Sequence, residues 1–488
     1  MSQGQRNPVQ APLFVAMEEV LRHMPRDPFY TRLQTAIDWA FIYPLTRGLY
    51  ARTMGRPSLD PVVFVKALLY GFLEQVPSYV ALELRLADSM TARRFLGYTL
   101  TEQTPDESTL RKTLALWPEA VFQQIFTHVL AACREAGLVR GRAVGVDSTT
   151  VPAQASLDRL QHRTLDCTYR AYLATLAQTD APPPPTRANA DWVCTTDPDA
   201  RLARMKDGHI DLAYKASTAV DLETGAVLAV EVTTADVSDR QDLVAPLAQA
   251  VETLAALGLP PPVVGVADKG YHDGAMLAEV EEALGITPLV RAPHPGQPSA
   301  PGFAPTDFTV EAEADQLRCP AGQVLTRRPG EERERPGWRV YRAGPGCRAC
   351  PHWGTCTRDG KGRKVRRADA EAVVAANRAR GDTPEAATLF AARQTRGEAP
   401  FSFLKRRGGG QIRGRGLGVA GKETLLGFLA WNLVLLVRRR ADLPLRGVRQ
   451  RVEAAVRRWC RILGARARWA ARRRLRRALP VRAHRATA

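Results

Sequence analysis

At 488 residues, with 45% hydrophobic and 24% charged side chains, the chain can bury more than one core and is too apolar to be a disordered polymer. Its net charge of +19 makes a polyanion the expected partner, and nucleic acid is the usual one. The opening residues lack a secretion signal, and the longest apolar run, Leu425 to Val437, is broken by Asn432 and too short to cross a bilayer. These features predict a cytosolic, nucleoid-associated protein without a membrane partner, whose eight cysteines are thiols or metal ligands.

Residues 1–140 read as an all-helical domain for DNA binding or assembly. The periodicity is helical from Asp27 to about Arg140. Ser58-Leu-Asp-Pro61 opens one apolar helix and Ser78 a second, Tyr79 to Ala87. Thr104-Pro-Asp-Glu107 reads as a capping box launching a helix through Trp117. On that helix Leu110, Leu114 and Trp117 share the apolar face, leaving Arg111 and Lys112 outward as candidate DNA contacts or as an ordinary solvated face.

Residues 141–437 then alternate. Strands are expected at Arg142–Val151, Ala213–Asp221 and Ala226–Thr234, the last two joined by a hairpin at Gly225. A helix from Arg240 to about Leu257, a strand Val263–Ala267, a helix Gly274–Leu284 and a strand Thr287–Arg291 follow, which makes an α/β mixed sheet flanked by helices. Residues 153–206 and 292–383 interrupt this order, the second being a Pro-, Gly- and Arg-rich insertion with half the cysteines. Regular structure is expected to resume at Asp382-Thr-Pro-Glu385, with Pro400 kinking or ending that helix and an apolar helix Glu423–Val437 closing the fold. From Arg438 onward eighteen arginines face only Asp442 and Glu453, so residues 438–488 form an arginine-rich tail holding sixteen of the nineteen net charges. Such a tail fits the DNA backbone as a basic helix, or it is simply solvated.

Two of the buried strands end on acids, Asp147 and Asp268, and a third acid, Glu398, lies in a basic helical stretch. Three carboxylates from separate elements suit hard divalent cations acting on phosphate, because paired ions can activate the attacking oxygen and steady the leaving one. Asp147 on a first strand, Val-Ala-Asp268-Lys-Gly-Tyr271 after the fourth, and Arg393-x4-Glu398-x6-Lys405 together resemble the insertion-sequence transposases that use two aspartates and a glutamate. The last motif is similar to that family's tyrosine-arginine-glutamate-lysine signature, with Phe390 at the tyrosine position and one residue more than usual between Arg393 and Glu398. The Gly55-Arg-Pro-Ser to Ser108-Thr-Leu-Arg stretch resembles the family's helical amino-terminal domain.

The resemblance implies a ribonuclease-H-like core with a cysteine-bearing insertion before the last catalytic helix. It further implies Mg²⁺ or Mn²⁺ held by Asp147, Asp268 and Glu398, and DNA phosphates met by Arg393 and Lys405, the alternative for these two cations being a pairing with nearby acids. The partners would be double-stranded DNA, both terminal inverted repeats and target, with a homodimer when bound. The activity would be cleavage at element ends followed by strand transfer; a non-catalytic DNA-binding descendant and a nuclease that cuts without joining are the alternatives. Separately, Cys347-x2-Cys350-x5-Cys356 with Cys319 could supply four thiolates to a structural Zn²⁺, or could be scattered free thiols.

Overall fold

The computed structural model describes residues 27–50, 58–164, 167–169, 171–172, 188–205, 207–238, 242–292 and, with short gaps, 303–441. The arginine-rich tail beyond residue 441, Gly55 to Pro57 and Cys460 lie outside the described residues.

The amino-terminal part is helical because its sequence supplies a start signal every few residues. Asp27, Asp60, Ser78, Ser89 and Asp106 each accept backbone N–H bonds with their side chains at the heads of Pro28–Ala36, Pro61–Leu73, Tyr79–Asp88, Met90–Leu96 and Glu107–Leu116. The cap of the last of these is Asp106, bonded to the Thr109 N–H, and not Thr104 as the capping-box reading expects. Leu110, Leu114 and Trp117 are buried as expected, with Arg111 and Lys112 exposed.

The second part is a mixed α/β sheet. Its strands are β1 (Ala143–Pro152), the short pair β2 (Leu160–His162) and β3 (Trp192–Cys194) set apart from it, then β4 (Arg201–Arg204), β5 (Ile210–Asp221), β6 (Val227–Thr234), β7 (Val264–Ala267) and β8 (Thr287–Val290). The main order is β4-β5-β1-β7-β8, with β6 beside β4 on the same flank of β5. β5 runs antiparallel to β1, whereas β7 and β8 continue parallel to it through the helices Val244–Ala256 and Gly274–Ala283. A Cβ on Gly265 would meet Leu247, while one on Gly145 would meet Leu222 and Arg393. Because residue 144 and not residue 145 stands opposite Gly265, helix Val244–Ala256 and the Arg393 segment cover opposite faces.

The sheet's two outer strands are closed by asparagines. Asn432 bonds both the N–H and the C=O of Val227 in β6, and Asn377 does the same to Val290 in β8; both are fully buried. A strand edge exposes unpaired backbone groups, and these carboxamides occupy part of each edge. The polar break at Asn432 in an apolar run is therefore a structural bond to the sheet.

Asn432 lies on the last helix, Leu417–Arg440, which is long and apolar enough to cross a membrane, yet its apolar window is 89% buried within the fold. It packs on β6 and on helices Glu119–Glu135, Pro28–Ala36 and Pro61–Leu73, so one continuous apolar cluster joins the helical part to the sheet. Buried Glu423 fixes its entry, accepting from Tyr79 Oη at 2.5 Å and from the Arg413 N–H at 2.7 Å. The Arg413 guanidinium donates to Val76 O and lies 4.3 Å over the Phe72 ring.

The stretch 292–383 is more ordered than its composition suggests. Five strands, β9 (Thr309–Glu311), β10 (Gln316–Arg318), β11 (Val324–Arg327), β12 (Trp338–Ala343) and β13 (Lys364–Ala368), form an antiparallel meander, and a helix follows at Glu371–Gly381. The meander has its own small core of Phe308, Leu317, Leu325, Tyr341 and Val365.

Candidate active site

Strand register brings the two aspartates together. β1 and β7 pair in parallel, Ala143 with Val264 and Gly145 with Val266, and each aspartate follows two residues after the last of these pairs. Residues level on neighbouring parallel strands are about 4.8 Å apart along the hydrogen-bonding direction. Side chains there project to the same face, which is the face covered by the Arg393 segment.

Arg393 occupies the space between them. Its guanidinium lies 2.9 Å from Asp147 Oδ2 and 3.6 Å from Asp268 Oδ2, and the residue is only 7% exposed. The approach to Asp147 is off the N–H direction, so it is an ion pair and not a formed hydrogen bond. Gly145 makes the approach possible, since a Cβ there would stand 3.3 Å from Arg393 Cγ and 2.6 Å from Leu222 Cδ2.

Glu398 arrives from the same segment by a local distortion. Residues Arg393–Gly397 form a single π-helical turn between the helices Pro384–Ala392 and Glu398–Arg406. In an α-helix residues five apart diverge by about 140°, whereas a π turn takes up one extra residue and brings them back toward one side. The additional residue between Arg393 and Glu398 is absorbed in this way. Pro400 does not end the helix; it sits in the first turn of Glu398–Arg406, where its missing N–H falls next to the widened turn. Arg396 ties the turn to the β5–β6 hairpin by donating to Thr224 O at 3.0 Å.

The electrostatics follow from this crowding. Burial raises the Asp147 carboxyl above its ordinary range; Arg393 and the Ser148 N–H pull it down, and the charges of Asp268 and Glu398 push it up again. Asp147 thus feels both other acids. Among the described residues no three acidic, histidine or cysteine side chains stand close enough to form a ready metal cage. The donor set nevertheless fits a hard divalent cation: three carboxylates repel one another, and a guanidinium already lies between two of them.

The remaining predicted residues are more scattered. Lys405 is exposed on the Glu398 helix, and Phe390 is buried beneath the sheet with the Arg291 guanidinium 4.9 Å above its ring, a packing role that needs no hydroxyl. Tyr271 is a core ring. Arg111 pairs with Glu107 at 2.7 Å on the solvated face of its helix. Cys319, Cys347, Cys350 and Cys356 all line one small cavity of the five-stranded sheet together with His352, Cys319 Sγ accepts the Gln323 N–H at 3.2 Å, and none of the four is in a disulfide.

Two family models match the chain: a transposase domain (DUF772) over residues 18–115, and a transposase DDE domain over residues 318–437. The chain belongs to the DDE-type transposases of insertion sequences. No curated protein and no solved structure matches it. In this transposase the second match takes in Arg393, Glu398, Lys405 and the four clustered cysteines but starts after Asp147 and Asp268. The register of β1 and β7 and the bridging arginine are what connect those two acids to the matched region. Sequence spacing alone missed the π turn, Gly145 and Asn432. The one-residue excess between Arg393 and Glu398 was the available signal for the first.

Proposed function

We propose that this transposase cuts DNA at the ends of its element and joins the freed 3′ ends to target DNA. Asp147, Asp268 and Glu398 would hold Mg²⁺ or Mn²⁺ in a ribonuclease-H-like core. The observation that carries the reading is the Arg393 guanidinium lying between Asp147 and Asp268 while Asp147 feels the charge of Glu398. The order β6-β5-β1-β7-β8, with β5 antiparallel and β7 and β8 parallel to β1, supports the ribonuclease-H-like assignment. Bound among the carboxylates, a divalent ion supplies an activated oxygen nucleophile and a stabilised leaving group.

The chain's own groups do the rest. Asp147 stands on a central strand, Asp268 just past the end of the next, and Glu398 at the head of a helix tied to the sheet through Arg396. Arg393 neutralises the two aspartates until a cation enters, and is then available to a phosphate through its planar fork. Lys405, farther along the same helix, offers a point charge to the DNA backbone. The cysteine cavity is a second, separate metal proposal, in which Cys319, Cys347, Cys350 and Cys356 would hold a structural zinc; the Gln323 N–H on Cys319 is the kind of bond that steadies a thiolate.

The test uses the full chain, Mg²⁺ or Mn²⁺, and duplexes carrying the DNA that flanks the gene. Metal-dependent nicking at the element ends, abolished in Asp268→Ala, is the expected result. Wild-type cleavage by that variant overturns the assignment, and cleavage without joining reduces the protein to a nuclease.

A further inference from the structure

Two hydroxyls beside Asp147 have no partner. Thr218 stands opposite Asp147 in the antiparallel β1–β5 register, and Thr149 follows Asp147 by two residues on the same face of β1. Directly opposed residues bring their Cβ atoms to about 5 Å, so the Thr218 hydroxyl is within one water's reach of the carboxylate. Thr218 is fully buried and Thr149 is 5% exposed, and neither Oγ1 makes a hydrogen bond among the described residues. Burying a hydroxyl without a bond costs stability, and an isosteric valine at either position would avoid that cost.

Both oxygens of Asp147 are already engaged, Oδ1 by the Ser148 N–H at 2.9 Å and Oδ2 by Arg393. A cation bound at Oδ2 would bring its ordered water within reach of the idle hydroxyls. We infer that Thr218, assisted by Thr149, is a positioning residue for the metal site: its hydroxyl bonds a water in the shell of a cation bound to Asp147 and holds that carboxylate in its ligating orientation. This rests on the proposed role of Asp147. Outer-shell bonds of this kind typically govern metal affinity by about 10- to 100-fold.

The experiment titrates Mn²⁺ onto the full-length protein by calorimetry and measures Tm without metal, for wild type, Thr218→Val, Thr218→Ser and Asp147→Ala. The inference predicts that Thr218→Val weakens Mn²⁺ binding by about tenfold or more while its metal-free Tm is unchanged or higher, and that Thr218→Ser binds like wild type. Unchanged Mn²⁺ affinity in Thr218→Val overturns it, as does a loss of affinity accompanied by a lower metal-free Tm, the mark of a purely structural residue. Mn²⁺ binding that survives Asp147→Ala, or a wild type that binds none, removes the underlying reading as well. Asp147→Ala losing the ion while Thr218→Val keeps it refutes the threonine role alone.

Discussion

The two candidate metal centres of this transposase are built in opposite ways. At the end of the main sheet Asp147 and Asp268, 121 positions apart in the chain, flank one guanidinium, and Glu398 follows a π turn in the segment that carries that arginine. In the five-stranded sheet the four cysteines are closer in sequence and line one cavity with His352 and Arg363, and the sheet has an apolar core of its own. Like charges held near one another need a cation, whereas cysteine side chains also pack as small hydrophobes. Two of the acids are thus already gathered around an internal cation, whereas the cysteines share a cavity beside an apolar core.

The sharpest contrast is in activity. Alanine at Asp147 or Asp268 is expected to reduce strand cleavage by a factor of about 10³ or more, whereas serine at Cys350 should leave the rate per folded molecule within a few-fold, measured on the same DNA ends. Next in size is a stability effect that belongs to neither centre. Glu423→Ala strips the buried Arg413 and Tyr79 of their partner and should cost about 3–5 kcal/mol in denaturant unfolding, without changing Mn²⁺ affinity.

A smaller effect separates the acids from their internal cation. Arg393→Gln should tighten Mn²⁺ binding, because the ion no longer competes with a guanidinium, and should lower the metal-free Tm while impairing DNA cleavage; weaker binding would mean that Arg393 is not a placeholder. Asp147→Asn tests the same charge crowding by a different sign. Burial raises the Asp147 carboxyl in the folded state, so the fold binds its proton more tightly than the unfolded chain does. Stability from this group is present below the unfolded value of about 4 and falls as pH rises through the raised folded value. At neutral pH without metal, Asp147→Asn should therefore melt higher than wild type, and the gap should close in acid.

The smallest effect concerns the thiols. Protein purified without chelator is expected to carry about one zinc per chain if the cavity closes on an ion. Full reaction of Cys319, Cys350 and Cys356 with a thiol reagent, with no zinc by elemental analysis, leaves the cavity an apolar pocket.

Much of the sheet was legible because its strands are continuous apolar runs that end in acids or a turn glycine, as in Val-Gly-Val-Ala-Asp268 and the hairpin at Gly225. The five-stranded meander was not. Strands such as Gln316–Arg318 bury one side chain in three, and arginines and glycines between them hide the alternation. The cap at Asp106 competed with an equally good signal at Thr104, and only the coordinates decide between them. The acids could be named from their strands and from resemblance, but Arg393 between the aspartates and the idle hydroxyls at Thr149 and Thr218 depend on register, which no single strand's sequence specifies.

Iron-directed backbone cleavage tests the central claim most directly. Fe²⁺ substituted for Mg²⁺, with ascorbate and peroxide, cuts the polypeptide beside the bound ion. Scission near Asp147, Asp268 and Glu398, suppressed by excess Mg²⁺, is what convergence of the three acids predicts. Cuts confined to one of the three segments, or located only around the cysteine cavity, would contradict it.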